Sequence, residues 1–409
     1  MAQSLTHSLL IDKCLISGNP VSKILDFGQH PYADTFVNEN QLNLSEPIFP
    51  LQVYLNPETG SVQLAYLSNA EERYNLYSYS YTSSNSNFSR NHWDNYAITL
   101  LERFKPSGLV VEIGSNDGYL ISKFREKGLS TLGIDSSGSM CELARSNGQP
   151  SMHAVFTQSV ADEVSAKHGL ACLVMANNVF NHANNPVDFA EGVRDLLSDD
   201  GIFVFELPYW ADSVSSGHLD QVYHEHISYF TVKSSWYLLA AAGMQMIDFD
   251  IVNYHGGSLR VFAKKGIATV MPLKIQSAIE VETKSGLFSL EFYESLQRTL
   301  IERRNKWLQE FYDLLVKEPD AIIIGVGAAA KANTWLNWHG LTGMHLKCIT
   351  DSSEFKQGKY TPLSRIPIFG DEVFADYQNP YALILSWNIS EPLKDALKKI
   401  NSNVRFLSQ

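Results

Sequence analysis

Apolar and polar positions change their rhythm twice along this chain. Up to about residue 70, short alternating runs such as "FPLQVYL" and "SVQLAYL" are broken by Asn, Pro and Gly, which predicts small strands and turns. From residue 109 the runs become uniformly apolar. "GLVVEIG", "TLGID", "ACLVMAN" and "GIFVFELP" suit parallel strands buried on both faces. Helical stretches separate them, so a doubly wound α/β sheet is expected. After "HGGSLRVFAKK" a long helical stretch, about 286–317, leads to a second α/β unit with strands "AIIIGVG", "LKCIT" and "YALILSW", closing near "VRFL". No repeat at solenoid period interrupts this order. The expected organisation is a small domain over 1–72, a central one over 73–285 and a C-terminal one over 286–409.

Composition narrows the function classes. With 409 residues, 44% hydrophobic and 19% charged, the chain reads as soluble and globular, with material for two or three cores. A net charge of −12 argues against non-specific nucleic-acid binding and against docking on an anionic membrane. Phosphorylated ligands stay open, because helix N-termini bind phosphate locally. The start, "MAQSLTHSLLIDKCLISG", lacks the basic region and long apolar run of a signal peptide, and no apolar run reaches membrane-spanning length. Cys14, Cys141, Cys172 and Cys348 are scattered, so neither a disulfide framework nor a four-thiolate metal site is expected, and a cytoplasmic location follows.

Candidate chemistry begins at "VVEIGSNDGYL", where a strand runs into a glycine loop. Gly114 and Gly118 let the backbone turn tightly, and a side chain at Gly114 is expected to fill space a ligand needs. The spacing is G-x-x-x-G rather than the dinucleotide G-x-G-x-x-G. Glu112 at the strand end suits a ligand amine. Asp135, about twenty residues after the loop, suits ribose hydroxyls. With Asn116 in the loop and Asn177 and Asn178 at the end of "ACLVMANN", these features resemble the class I S-adenosylmethionine-dependent methyltransferases. The resemblance implies S-adenosyl-L-methionine as cofactor.

The stretch "LDQVYHEHISYF", 219–230, crowds Tyr223, His224, Glu225 and His226 together. It lacks H-E-x-x-H spacing and any thiolate cluster, and two histidines two apart diverge on a strand, so no metal is expected. A structural motif of mutually satisfied side chains remains open. Acid/base work is the stronger reading, because a neutral imidazole can take a proton near physiological pH and the run follows a strand of the sheet.

Taken in order, "LDFGQHPYADTFV", "YSYTSSNS", "EIGSNDG", "ANNVFNHANNP", "VYHEHISYF", "HGGSLRVF", "GVGAAAKANTWLNWHG", "KQGKYTP" and "LSWN" resemble the sugar C-methyltransferases of deoxysugar biosynthesis, which act on TDP-linked 4-keto-hexoses at C3. The resemblance runs almost the full length. It implies His226 as the base at C3, with Tyr223 and Glu225 beside it and His224 in reserve. It also implies roles for His182 and for Tyr81, or failing that Tyr79, and it makes the tyrosine-rich stretch a substrate lid. His255 and Gly256 are structural or substrate-facing. Lys331 and Tyr360 are candidates for holding the nucleotide diphosphate, since "GVGAAAK" opens a helix with a glycine turn. Other expectations kept in view are a C-, O- or N-methyltransferase on a non-sugar metabolite and a non-catalytic cofactor-binding scaffold.

One departure is clear. Members of that family carry an N-terminal zinc site of two C-x-x-C pairs, but here Cys14 is followed by Ser17, and Asn56 and Thr59 stand at the second pair. One thiolate cannot make a tetrahedral structural zinc site, so no zinc is expected.

Overall fold

A computed structural model describes residues 9–67, 84, 86–217, 219–254 and 256–407. Leu109–Ile113 is buried at every position, as a strand covered on both faces must be. It lies in the middle of a seven-stranded sheet. The order is Met244–Val252, Ser258–Lys265, Leu197–Pro208, Ala171–Asn177, Leu109–Ile113, Ser130–Asp135, Ser151–His153. Only Ser258–Lys265 runs against its neighbours; the remaining pairings are parallel. The chain winds outward from Leu109–Ile113 to one edge and then returns to Ala171–Asn177, so the winding reverses between these two strands. Ligands settle in the crevice beyond the carboxyl ends at such a reversal. This is the doubly wound sheet that the apolar runs predicted, with the arrangement implied by the resemblance to class I methyltransferases.

The C-terminal sheet repeats the device. Its five strands are all parallel in the order Ile368–Phe369, Cys348–Thr350, Ile323–Val326, Tyr381–Ile384, Arg405–Leu407. The reversal falls between Ile323–Val326 and Tyr381–Ile384, beside the "GVGAAAK" loop.

The N-terminal sheet holds a surprise. Ser22–His30, Phe49–Asn56 and Ser61–Leu64 pair antiparallel, and the fourth strand is Ser228–Tyr229 from the middle of the chain, with Ser228 opposite Gln63 and Tyr229 opposite Val62. The motif just before it is a turn and not a strand, closed by the His226 N–H donating to the Tyr223 carbonyl at 2.9 Å. A two-residue strand borrowed by another sheet leaves no periodicity to read.

Helix Asn87–Phe104 begins inside the Ser/Asn-rich segment, where Ser86 accepts from the Ser89 N–H and Lys105 ends it in the left-handed conformation. Its buried Trp93, Tyr96, Ala97 and Leu100 follow helical spacing and pack on Val110, Leu120 and Phe124. The 28-residue helix Leu290–Lys317 spans about 42 Å. Its Tyr293 and Leu300 join the core beneath the N-terminal sheet, and its Phe311 joins the core of the C-terminal sheet. Among the described residues, no helix is long and apolar enough to cross a membrane.

Candidate active site

A cavity of about 520 Å³ opens at the reversal point of the central sheet and is lined from all three sheets' regions. Glu112, Gly114, Asn116, Asp135, Asn177 and Asn178 all line it. Asp135 builds the glycine loop as well as facing the cavity: its Oδ2 accepts from the Asn116 N–H at 2.8 Å and its Oδ1 from the Ser137 N–H at 2.8 Å. Each oxygen keeps a lone pair for a ribose hydroxyl. Gly114 takes φ +71°, and a Cβ there would meet Val179, another residue of the cavity lining, at 2.9 Å, so any side chain would strike the neighbouring loop. Gly118, at φ +79°, starts helix Tyr119–Arg125 behind the cavity wall.

The fit of the cofactor rests on groups left unsatisfied. Glu112 Oε2, both amide atoms of Asn177 and the Trp93 indole nitrogen, all from residues that line the cavity, are buried without a hydrogen-bond partner. Unpaired buried polar groups are costly, so their presence around one cavity suits a polar ligand. Burial, reinforced by Asp117 and Asp135, pushes the Glu112 carboxyl well above its ordinary range. A cofactor with an amino-acid end, carrying an ammonium and a carboxylate, matches this set. Trp93 was missed from sequence; an apolar face at helical spacing after a capping serine was the available signal.

His226, Tyr223, His182 and Glu225 line the same cavity. His226 Nδ1 lies 2.9 Å from the Gln221 carbonyl, which only accepts, so Nδ1 carries the proton in the neutral ring. Its Nε2 lies 2.7 Å from the Tyr223 hydroxyl and accepts from it. The His182 ring packs edge-on against His226 at 5.0 Å. Glu225 accepts from the Asp34 N–H at 3.1 Å. His224 points elsewhere, packed edge-on against Phe49 and Tyr32 with Nε2 3.3 Å from the Phe49 carbonyl, and it does not line the cavity. The two histidines left unseparated by sequence are thus parted by the turn: one faces the cavity and one locks the N-terminal sheet.

Lys331 and Lys356 of the C-terminal region complete the wall. Lys331 donates to Asn388 Oδ1 and lies over the Trp387 ring at 4.8 Å; burial lowers its pKa, with Asp220 opposing. Tyr360 does not line the cavity, and its backbone bridges Val37 in both directions. Gly256, at φ +90°, is where the Trp387 ring packs against the backbone; a Cβ would collide with it, so this glycine serves close packing. Tyr79, Tyr81 and His255 lie outside the described residues.

Three family models match consecutive parts of the chain. Residues 14–74 match a putative zinc binding domain, 90–248 a methyltransferase domain and 253–408 a C-methyltransferase C-terminal domain. The chain is also 29% identical over 398 residues to the C-methyltransferase NovU of Streptomyces niveus, covering 96% of this chain and 94% of that protein. The chain belongs to the S-adenosylmethionine-dependent C-methyltransferases. Among solved structures, an S-adenosylmethionine-dependent methyltransferase from Clostridium acetobutylicum matches 45% of this C-methyltransferase and 94% of its own chain, at 13% identity and a TM-score of 0.36. Magnesium protoporphyrin IX methyltransferase from Synechocystis, with bound SAH, matches 43% and 83%, at 13% identity and a TM-score of 0.35.

The zinc-type positions of the N-terminal region gather, but around hydrogen bonds. Cys14 Sγ lies 3.5 Å from Thr59 Oγ1, which donates to Asn56 Oδ1 at 3.0 Å, and Asn56 Nδ2 donates to the Pro20 carbonyl at 3.0 Å. One thiol, hydroxyls and a carboxamide do not fit zinc. Among the described residues no group of three His, Cys, Asp or Glu is set to hold a metal ion. Elemental analysis of protein purified without chelator should find no stoichiometric zinc, and chelator should leave its melting temperature unchanged. One zinc per chain would show that ligands come from elsewhere.

Buried neutral imidazoles give the protein an acid weakness. Burial lowers the pKa of His226 and of His339 to about 4 from an ordinary 6.5. Between those values the unfolded chain binds more protons than the folded one, so stability is complete above pH 6.5 and is lost as pH falls towards 4. At 1.36 kcal/mol per unit, each histidine contributes ~3 kcal/mol to that loss. Urea unfolding across this range should show it, and His339→Gln, away from the cavity, should flatten the profile.

Proposed function

We propose that this C-methyltransferase acts at C3 of a nucleotide-diphosphate-linked 4-keto-deoxyhexose, with His226 as the base that forms an enolate. The observation that supports this most is a single cavity joining the cofactor residues, a neutral imidazole and two lysines. A methyl acceptor on O or N has a lone pair ready; a carbon acceptor must first lose a proton to a base. The kinship with NovU over 96% of the chain supports a carbon acceptor. The lysine wall and the helix Ala330–His339 opening beside it suit a diphosphate. The described cysteines are all unpaired, in keeping with a cytoplasmic location.

The hydrogen bonds suggest how the base is unmasked. His226 Nδ1–H is held by the Gln221 carbonyl, which fixes the ring and leaves Nε2 as the basic atom. Tyr223 donates to that same Nε2. A ketone oxygen arriving next to Tyr223 competes for its hydroxyl hydrogen. As Tyr223 turns to the ketone, Nε2 is released to take the C3 proton, and the C–H electron pair moves into an enolate whose oxygen Tyr223 stabilises. His182, packed against the ring of His226, limits its tilt. When bound, S-adenosylmethionine would supply an electrophilic methyl group on a sulfonium. Glu112, Asn177 and Asp135 would hold the cofactor's amino-acid end and ribose.

Incubation with a panel of nucleotide sugars and non-sugar ketones, read by mass spectrometry and by NMR of the methylated carbon, tests the reading. A C-methyl product from a nucleotide-linked 4-keto sugar is expected. Methylation only of an oxygen, a nitrogen or a non-sugar compound would overturn it.

A further inference from the structure

The segment Pro31–Val37 is pinned to both neighbouring regions. The Ala33 carbonyl accepts from Asn333 Nδ2 at 2.6 Å, the Asp34 N–H donates to Glu225 Oε1 at 3.1 Å, and Val37 exchanges backbone hydrogen bonds with Tyr360. Six of its seven residues are buried; Asp34 is the one partly open, and it lines the cavity. Its main chain is tied one residue from the His226 base, and its side chain is close enough to Lys356 for their charges to interact. Lys356 is itself held by the Ala328 carbonyl at 2.9 Å. Asp34 therefore stands between the reacting centre and the lysine wall, where a sugar ring joined to a diphosphate has to lie.

Of the other acids of the cavity, Asp135 accepts two backbone N–H groups, Glu225 accepts the Asp34 N–H, Glu112 faces the glycine loop, and Asp188 stands in the first turn of helix Pro186–Leu196, where a carboxylate suits the helix N-terminus. The Asp34 carboxylate makes no hydrogen bond among the described residues, so its acceptor capacity is unspent. Burial pushes its carboxyl above the ordinary range while Lys356 pulls it back. Such a group is stabilised by a donor.

We propose that Asp34 is a substrate-recognition residue, whose carboxylate accepts a hydrogen bond from a hydroxyl or ammonium on the sugar ring beside the methylated carbon. The proposal rests on the nucleotide-sugar reading above and gives the N-terminal region a part in specificity.

The test compares wild type, Asp34→Ala and Asp34→Asn on TDP-4-keto-6-deoxyglucose and on its 3-amino counterpart. On the sugar that wild type methylates, Asp34→Ala should lower kcat/KM about tenfold to a hundredfold, chiefly through KM, the weight of a charged hydrogen bond. Affinity for S-adenosylhomocysteine, measured by calorimetry, should stay unchanged. Asp34→Asn keeps an acceptor oxygen but not the charge. It should restore most of the loss if the donor is a hydroxyl and none if it is an ammonium. Both variants within about twofold of wild type in kcat/KM would overturn the assignment alone. So would a loss confined to kcat or shared by cofactor affinity, which marks a structural role. A wild type that binds S-adenosylhomocysteine but methylates neither sugar would overturn the substrate reading, and the assignment with it.

Discussion

His226→Asn should lower turnover at least about a hundredfold, the usual weight of general base catalysis. Asparagine retains the polar shape, and its amide can still meet the Gln221 carbonyl, but it cannot take a proton. Affinity for S-adenosylhomocysteine should hardly change, because the residues expected to hold it, Glu112, Asp135 and Asn177, stand on strands of the central sheet and not on the turn that carries His226. Exchange of the substrate's α-proton with deuterated water, if wild type shows it without methyl transfer, should vanish. Substitution at His224 by asparagine should act differently, on stability, because that ring packs between Phe49 and Tyr32. A fully active His226→Asn would make the motif a structural turn. Were His224→Asn the variant that abolishes proton exchange while remaining folded, the placement of the two rings would contradict the chemistry.

Glu112→Gln should weaken S-adenosylhomocysteine binding by at least about thirtyfold, the loss expected when one partner of a buried hydrogen-bonded charge pair is removed. The fold should survive, because burial disfavours the charged form of this carboxyl and glutamine resembles the neutral one. An incoming ammonium favours the ionised carboxylate, so binding should release a proton from Glu112 and affinity should rise with pH until the free carboxyl has ionised. Calorimetry in buffers of different ionisation enthalpy reads that proton directly. Unchanged affinity in the variant, with no difference between buffers, would remove Glu112 from the cofactor site.

Several parts of this picture were legible in the chain. Uniformly apolar runs such as "LVVEI" can be satisfied only as strands covered on both faces, so the two doubly wound sheets followed from pattern alone. Local chemistry carried the cofactor loop, because a positive φ at Gly114 and a carboxylate one strand away act over short distances. Helix Asn87–Phe104 escaped notice because its capping serine sits within a polar, low-complexity run that masks the apolar face beginning at Trp93.

What sequence by itself determined is therefore the fold class, the family resemblance and the residue types of the site. Which side chains share the cavity was decided by tertiary structure. His224 and His226 have nearly the same sequence neighbours, and only the turn at Tyr223 and the docking of Ser228–Tyr229 onto Ser61–Leu64 send one ring into the cavity and the other under the N-terminal sheet. Asp34 is the same case at longer range: nothing beside it in the chain distinguishes it from any surface aspartate. It becomes a cavity residue because Glu225, 191 positions away, accepts from its N–H, and Asn333, 300 positions from Ala33, donates to the carbonyl of that neighbouring residue. Periodicity reports which face of an element is buried, because that depends on residues a few positions apart. It carries no information on which distant elements meet.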